Sequence, residues 1–468
     1  MNARTETGKG HSSRPRTGRG VFCRLALAAA AVASLGLPVG PARGDEAKSR
    51  PNVIFILVDD YGTPGASCYG GKYKTPNLDA LAQGGVRFEH CFSAPLCAPS
   101  RALCMTGRYA FRTGVLDNGT GARATPKGEV CIAKLLKQAG YATAVAGKWR
   151  QLSYFITKEE GRAWGFDEFL IWGVGTKGER YWDPDYNRNG QFLTDTQGKY
   201  GPDMLHEFAV DFIRRHRDGP FFLYYPMVLI HGPILRTPDS PAQGADHYAD
   251  NIAYMDKLVG KLVEELDGLK LREKTLIVLV GDNGSVRGGT IQGRAIDGGK
   301  GSMKEGGSRV PLVCNWKGTT PAGRVSQDLV DFSDFFPTFA EVAGAKLPAG
   351  VTIDGQSFAP QLQGRPGKPR QWVYIQLGDR RYVRDPRWKL TGDGELSDMK
   401  EAPFREIPVA AQSDDPQAQA ARKKLQAVLD DVKSQDQWAG KSSPKAKKEG
   451  QKKPRGKRAA RAKAKSQP

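Results

Sequence analysis

The stretch Cys97-Ala98-Pro99-Ser100-Arg101-Ala102-Leu103-Cys104-Met105-Thr106-Gly107-Arg108 combines a sulfur nucleophile, a cation four residues later and a glycine able to stop a helix. It reads as a loop passing into a short helix, with Pro99 tolerated in the first turn and Gly107 at the end. Cys97 then sits at the helix's amino end, where free N–H groups and the dipole favour an anion, and Arg101 adds a forked cation one turn on. These are the parts of an oxyanion pocket, although a lone cysteine also reads as a buried, inert side chain. Two further groups could hold a cation: Asp59-Asp60, whose adjacent carboxylates repel, and Asp282-Asn283. Taken alone, an Asp-Asp pair is equally a polar turn. Lys148 in Gly-Lys-Trp, His231 in His-Gly-Pro and Lys300 in Gly-Gly-Lys-Gly-Ser complete the set, the last in a glycine-rich segment (288–307) that by composition could equally be a flexible loop.

What must position these residues is a series of apolar runs. Asn52 to Val58, which is rich in β-branched residues, Tyr141 to Ala146, Pro220 to Tyr225 and Thr275 to Val280 are largely apolar without polar alternation, as expected of strands covered on both faces. Helical patterns separate them: Thr75 to Ala82, with Thr75 as its cap, Cys131 to Ala139, Phe208 to His216 and Asp250 to Leu266. A strand over Val310 to Trp316 and a helix over Ser333 to Val342 follow. Strands alternating with helices at this spacing predict a mostly parallel α/β sheet. In such sheets ligands bind beyond the carboxyl ends of the strands, and Asp59, Asp60, Lys148, His231, Asp282 and Asn283 all lie just past predicted strands. One crevice can collect them. After a turn at Asp354 to Ser357, short strands over 372–377, 382–384 and 388–390 and a charged amphipathic helix over 417–433 predict a smaller antiparallel-sheet region. The expected division is 45–345 for the main α/β domain and 346–440 for the smaller one.

Cys-Ala-Pro-Ser-Arg followed by Thr-Gly-Arg resembles the signature of the type I sulfatases, and the blocks around it fall in that family's order from about Pro51 to Leu390. The resemblance implies an alkaline-phosphatase-like fold, arylsulfatase-like hydrolysis of sulfate esters, and oxidation of Cys97 to formylglycine by a maturation enzyme. In the family one hydroxyl of the hydrated aldehyde displaces the alcohol from sulfur, and loss of the second hydroxyl's proton then releases sulfate. It further implies that Asp59, Asp60, Asp282 and Asn283, with the modified Cys97 facing them, hold one calcium ion, whose preference for carboxylate and amide oxygen suits these side chains. Arg101, Lys148 and Lys300 would neutralise the sulfate oxygens, and His231 would lie near the leaving oxygen. The chain departs from the family at Gly147-Lys148-Trp149-Arg150, where the motif usually ends in histidine; arginine stays protonated and makes a poor base. His90 is a conceivable replacement or an ordinary surface histidine. Two other classes stay open on this departure: a sulfate- or glycan-binding pseudoenzyme, and a same-fold hydrolase of phosphate or phosphonate esters. Trp172, Tyr181, Trp182 and Arg150 could line a sugar subsite for a sulfated small molecule or glycan, or could be packing and surface residues.

The net charge of +20 over 468 residues looks like a nucleic-acid signal until it is located. Residues 441–468 carry +11 of it and residues 1–44 carry +6, leaving +3 for the body between them. No specific nucleic-acid partner follows from a nearly neutral body. At the start, a basic stretch precedes the apolar run Leu25 to Leu37, which is too short to span a bilayer and has signal-peptide proportions, so residues 1–44 are expected to direct export to a periplasmic or extracellular location. The last 28 residues are mostly Lys, Arg, Ala, Pro, Gly and Ser with no large apolar side chain; they cannot bury enough to order themselves and are expected to form a basic tail able to touch polyanions. Without Cys23 and Cys97, five cysteines remain, so at least one stays unpaired, with room for one or two disulfides.

Overall fold

The computed structural model describes residues 50–173, 179–244 and 246–441; the expected signal segment 1–44 and all but the first residue of the expected basic tail lie outside them. The first apolar run forms β1 (Asn52–Val58) at the centre of a ten-stranded sheet. The others are β2 (Val86–Phe92), β3 (Ala142–Trp149), β4 (Glu168–Gly173), the short β5 (Asn187–Arg188) and β6 (Gln191–Phe192), β7 (Phe221–Pro226) and β8 (Thr275–Gly281). A separate hairpin, β9 (Thr290–Ile291) and β10 (Arg294–Ala295), precedes β11 (Arg309–Asn315) and β12 (Arg324–Asp331), and the sheet order is β12-β2-β11-β8-β1-β7-β3-β4-β5-β6. The inner run β8-β1-β7-β3-β4 is parallel throughout. β11 is inserted antiparallel to both of its neighbours, which makes the sheet mixed at that side.

The alternation hidden in the apolar strands is visible in the two cores. Val53, Phe55 and Leu57 face one hydrophobic cluster and Ile54, Ile56 and Val58 the other, so β1 needs no polar face. The longer helices are α1 (Pro76–Gln83), α2 (Cys97–Thr106), α3 (Gly201–Arg215), α4 (His247–Gly268), α5 (Phe335–Val342) and α6 (Pro416–Ser434). α2 and α5 pack on the first cluster, α3 and α4 on the second. The expected cap of α1 is corrected: the Thr75 hydroxyl is bonded to Ser67, and the N–H groups of Asn77 and Leu78 donate instead to Asp256, reaching across from α4.

A second sheet, antiparallel throughout, follows in the order β13 (Val373–Leu377), β14 (Arg380–Arg384), β15 (Trp388–Thr391), β16 (Leu396–Asp398) and β17 (Ile407–Val409). It joins the main body through Tyr374, whose ring meets Tyr109 edge-on at 5.0 Å, and through α6, which lays Ala418, Ala421, Leu425, Leu429 and Val432 into the first cluster at helical spacing. The six cysteines of the described residues are all free, so none of the disulfides left open by the sequence is present among them. No helix of the described residues is long and apolar enough to cross a membrane.

Candidate active site

The carboxyl ends of β1, β7, β3 and β8 meet at one point, and each delivers a side chain there. β1 runs out at Val58 into Asp59 and Asp60, where strand geometry would send the two carboxylates to opposite faces. The chain avoids this by leaving the strand and turning Asp60 to a left-handed φ of 60°. Asp60 N–H donates to Asp282 Oδ1 at 2.9 Å, and Asp282 N–H to Val58 O at 2.9 Å, which locks the ends of β1 and β8 together. Both carboxylates therefore face the same site. Gly147, with φ of 136°, lets β3 pass against Pro226, where a Cβ would lie 1.9 Å from its carbonyl oxygen; the next residue is Lys148.

Lys148 Nζ donates to Asp59 Oδ1 and Oδ2 at 2.9 and 2.7 Å. Cys97 is the first residue of α2, as its sequence predicts, and Gly107 ends the helix at φ of 68°. The Cys97 Sγ stands 3.5 Å from Asp59 Oδ1 and 3.7 Å from Asp60 Oδ1. One turn on, Arg101 is fully buried, with Nε 2.8 Å from Asp282 Oδ2 and Nη2 3.3 Å from Asp59 Oδ1. The glycine-rich segment is no free loop here: Lys300 N–H donates to Ser285 O at 3.1 Å and Gly301 N–H to Pro95 O at 2.9 Å, which holds Lys300 Nζ 2.5 Å from Asp60 Oδ1. His231 Nε2 lies 3.7 Å from Asp60 Oδ2. All the residues singled out for catalysis and metal binding are thus brought together.

Electrostatics follow from this crowding. Burial pushes the Asp59 carboxyl up, but Lys148 and Arg101 outweigh it and hold the group well below the ordinary range. Burial, with Arg101 opposing it, leaves Asp282 raised. Burial and then the Asp282 charge push the Cys97 thiol far up, so the sulfur stays protonated at neutral pH and is a weak nucleophile. His231 is lowered, chiefly by burial, which favours the neutral imidazole, a form able to accept a proton. Two oxygens in this set, Asp60 Oδ2 and Asn283 Oδ1, are buried without a hydrogen-bond donor among the described residues. Buried acceptors of this kind want a partner, and carboxylate and amide oxygens around one point fit a hard divalent cation. Asp59, Asp60, Cys97 and His231 form a cluster whose ligand atoms all lie within 4.8 Å of one another. His231 thus joins the candidate metal-binding group, where the sequence placed only carboxylates, an amide and Cys97. Asp282 stands deeper, its oxygens engaged by Asp60 N–H and Arg101.

Above this floor lies a cavity of about 230 Å³ lined by Cys97, Asn118, Lys148, Arg150, Tyr154, Trp172, Arg180 and His231. Asn118, Tyr154 and Arg180 were not found from sequence. Asn118 Oδ1 accepts the Ala98 N–H at 3.0 Å and so steadies the first turn of α2; the others come from loops with no pattern to mark them. The four residues considered for a sugar subsite separate. Trp172 and Arg150 line the cavity. Tyr181 is buried, its hydroxyl donating to Val228 O and His231 O, and Trp182 donates to Arg236 O while packing on Tyr200, so both are scaffold. His90 is corrected as a replacement base: it lies on β2 among Arg309, Arg384 and Glu305, none of which lines the cavity.

Comparison with known proteins agrees with this arrangement. The model of the family described as Sulfatase matches residues 51–345. Arylsulfatase D of Homo sapiens is 29% identical over 442 residues, 74% of this chain and 74% of its own length. N-acetylgalactosamine-6-sulfatase of Canis lupus familiaris is 31% identical over 376 residues, 73% of this chain and 69% of its own. The crystal structure of Ps i-CgsB in complex with k-i-k-neocarrahexaose superposes with a TM-score of 0.71 at 25% identity, covering 86% of this chain and 100% of the other. With the mixed sheet, the separate antiparallel sheet and the strand-end site already in place, the chain belongs to the sulfatase family, a sulfuric ester hydrolase on an alkaline-phosphatase-like fold.

Proposed function

We propose that the chain is an exported, calcium-dependent sulfatase whose reactive group is a formylglycine made from Cys97 by a maturation enzyme, and that its substrate is a sulfated small molecule or glycan. The observation that carries this reading is the position of Cys97. It stands at the amino end of α2, 3.5 Å from Asp59 and 3.7 Å from Asp60, yet burial keeps its thiol protonated. A cysteine so placed is well positioned for chemistry that its own thiol performs poorly; the hydrated aldehyde supplies an oxygen nucleophile there instead.

Asp59, Asp60, Asp282 and Asn283 would hold the calcium, which supplies positive charge facing the sulfate. The chain's own groups do the rest. The α2 amino end and Arg101, Lys148 and Lys300 offer fixed positive charge where it develops on the sulfate oxygens. His231, open to the cavity, is the imidazole placed beside the departing alcohol oxygen, able to protonate it once it has itself taken up a proton, with Lys300 on the other side of Asp60. Among the described residues lining the cavity it is the only imidazole, so one group serves both protonation of the alcohol and the later proton removal that frees sulfate. Support for a glycan comes from the N-acetylgalactosamine-6-sulfatase relative and from the oligosaccharide held by Ps i-CgsB.

The test is the mass of the peptide carrying Cys97, from protein made together with a maturation enzyme. Conversion replaces the thiol by an aldehyde that hydrazide reagents capture, and Cys97→Ala should abolish aryl sulfate hydrolysis with the fold intact. An alkylatable thiol at Cys97 in fully active protein would overturn the reading.

A further inference from the structure

The charges of the site floor cancel. Asp59, Asp60 and Asp282 face Arg101, Lys148 and Lys300, three against three, through contacts of 2.5–3.3 Å. Two further cations line the same cavity outside this balance. The Arg150 guanidinium lies 5.0 Å from the centre of the Trp172 ring, and that of Arg180 lies 4.1 Å from it. Neither is paired with a carboxylate among the described residues. Holding two guanidiniums against one indole costs mutual repulsion, and stacking on the ring offsets only part of it, since cation–π contacts contribute about 0.5–1 kcal/mol at exposed sites. An anionic group placed between the two guanidiniums would offset that repulsion.

Topology puts this pair beside the chemistry. Trp172 on β4 is the register partner of Lys148 on β3, and Arg150 follows one residue past the end of β3. The Nη1 of Arg180 lies 3.1 Å from His231 Nδ1, which is also 2.7 Å from Gly232 O, so the second cation stands against the residue on the leaving-group side. Trp172 is itself buried, and its indole N–H has no acceptor among the described residues. A donor without an acceptor next to two guanidiniums without a carboxylate partner, among the described residues, defines a place for an oxyanion distinct from the sulfate seat over Cys97. Planar guanidiniums match carboxylate and sulfate oxygens in pairs, whereas a neutral sugar hydroxyl makes no use of their charge.

We propose that Arg150 and Arg180, braced on Trp172, bind a second anionic group of the substrate, a carboxylate or another sulfate close to the scissile one, so that the enzyme selects doubly charged substrates. This rests on the sulfatase reading and names its substrate class. It also accounts for arginine at 150: the position serves recognition of charge, where a histidine would serve proton transfer.

The experiment measures binding to full-length Cys97→Ala protein, which needs no turnover, of three ligands: a monosulfated hexose, the matching sulfated hexuronate and a disulfated hexose. The parent background should bind at least one dianion ten- to a hundredfold more tightly than the monosulfate, and added salt should shrink the gap. Which dianion gains tells carboxylate from sulfate. Adding Arg150→Ala or Arg180→Ala should bring the ratio close to one, and Arg150→Lys should restore only part of it. Equal affinity for all three ligands, or an Arg150→Ala loss of the same factor on each, overturns the proposal. Steady-state turnover of the same ligands by protein with intact Cys97 then separates the two readings: hydrolysis without preference rejects only the second-anion site, whereas binding with preference but an unmodified thiol and no hydrolysis rejects the sulfatase mechanism.

Discussion

Two places in this molecule bury charge on the same scale and use it differently. At the site floor three carboxylates, Asp59, Asp60 and Asp282, face Arg101, Lys148 and Lys300. Where the antiparallel sheet meets the main body, Glu305, Glu89 and Glu406 face Arg384, Arg309 and Lys389. In the second cluster the cations also bind backbone: Arg309 Nε donates to Glu89 O at 2.8 Å and Lys389 Nζ to Met303 O at 2.6 Å, so the charges staple one chain segment to another. At the floor the carboxylates converge on one point, leave Asp60 Oδ2 and Asn283 Oδ1 without donors among the described residues, and open onto a cavity beneath a helix amino end. Buried charge by itself therefore marks either a joint or a site, and so does an oxygen without a donor, since Glu305 Oε2 at the joint has none among the described residues either; convergence of the carboxylates on one point and access from outside distinguish the site.

The sharpest way to break this distinction is at Asp282. Asp282→Ala removes a carboxylate that holds Arg101 and the Asp60 backbone, and should cost about 10²–10³-fold or more in kcat/KM. Leaving Arg101 with Asp59 alone should also lower stability by about 3–5 kcal/mol, and chelation of the wild type should lower both activity and Tm. If neither chelation nor the substitution moves hydrolysis or melting, the floor holds no metal. At the joint, Glu305→Ala leaves Arg384 buried without its carboxylate and should cost a similar 3–5 kcal/mol in urea unfolding. The folded fraction should keep kcat/KM within about tenfold. A loss on the scale of Asp282→Ala would mean that the joint works on the site through the segment bearing Lys300, and the two clusters would be one device.

The floor was legible in the sequence because its residues obey a rule with a physical basis: polar groups placed just past buried apolar strands converge when the strands are parallel neighbours. Asp59 and Asp282 follow it directly, while Lys148 falls within the last residues of β3 and His231 a short loop beyond β7. The left-handed turn at Asp60, which brings its carboxylate to the same side as Asp59, leaves no trace in residue type. Arg180, Tyr154 and Asn118 were illegible for a different reason, since nothing periodic precedes them and only packing places them over Cys97. The antiparallel insertion of β11 between β8 and β2 was missed because an apolar run reads the same in either direction. Asp256 as the partner of the α1 amino end was missed because the contact crosses 178 residues of chain.

His90 offers the finest test, since it separates the joint from the site by pH. It was a conceivable base in the sequence, but it lies at the joint, where burial, Arg309 and Arg384 push its imidazole down to about 3, against the opposing pull of Glu305 and a hydrogen bond with Gln327. In the unfolded chain the same imidazole titrates near 6.5. As pH falls below 6.5 the unfolded state takes up a proton that the folded state refuses, so this residue's contribution to stability is intact above 6.5 and is lost progressively as pH falls toward 3. The slope reaches about 1.4 kcal/mol per pH unit, or about 2 kcal/mol by pH 5. His90→Gln removes the titration while keeping a side chain able to bond Gln327. Urea unfolding at pH 7, 6 and 5 should therefore show a shallower loss of stability in the variant, the remaining slope including His206, which burial beside Lys261 lowers to about 4. The pH profile of kcat/KM should keep its shape, because the site's imidazole is His231. An unchanged stability slope would show that His90 is solvated and its cluster open; a changed activity profile would return His90 to the catalytic machinery and erase the line between joint and site.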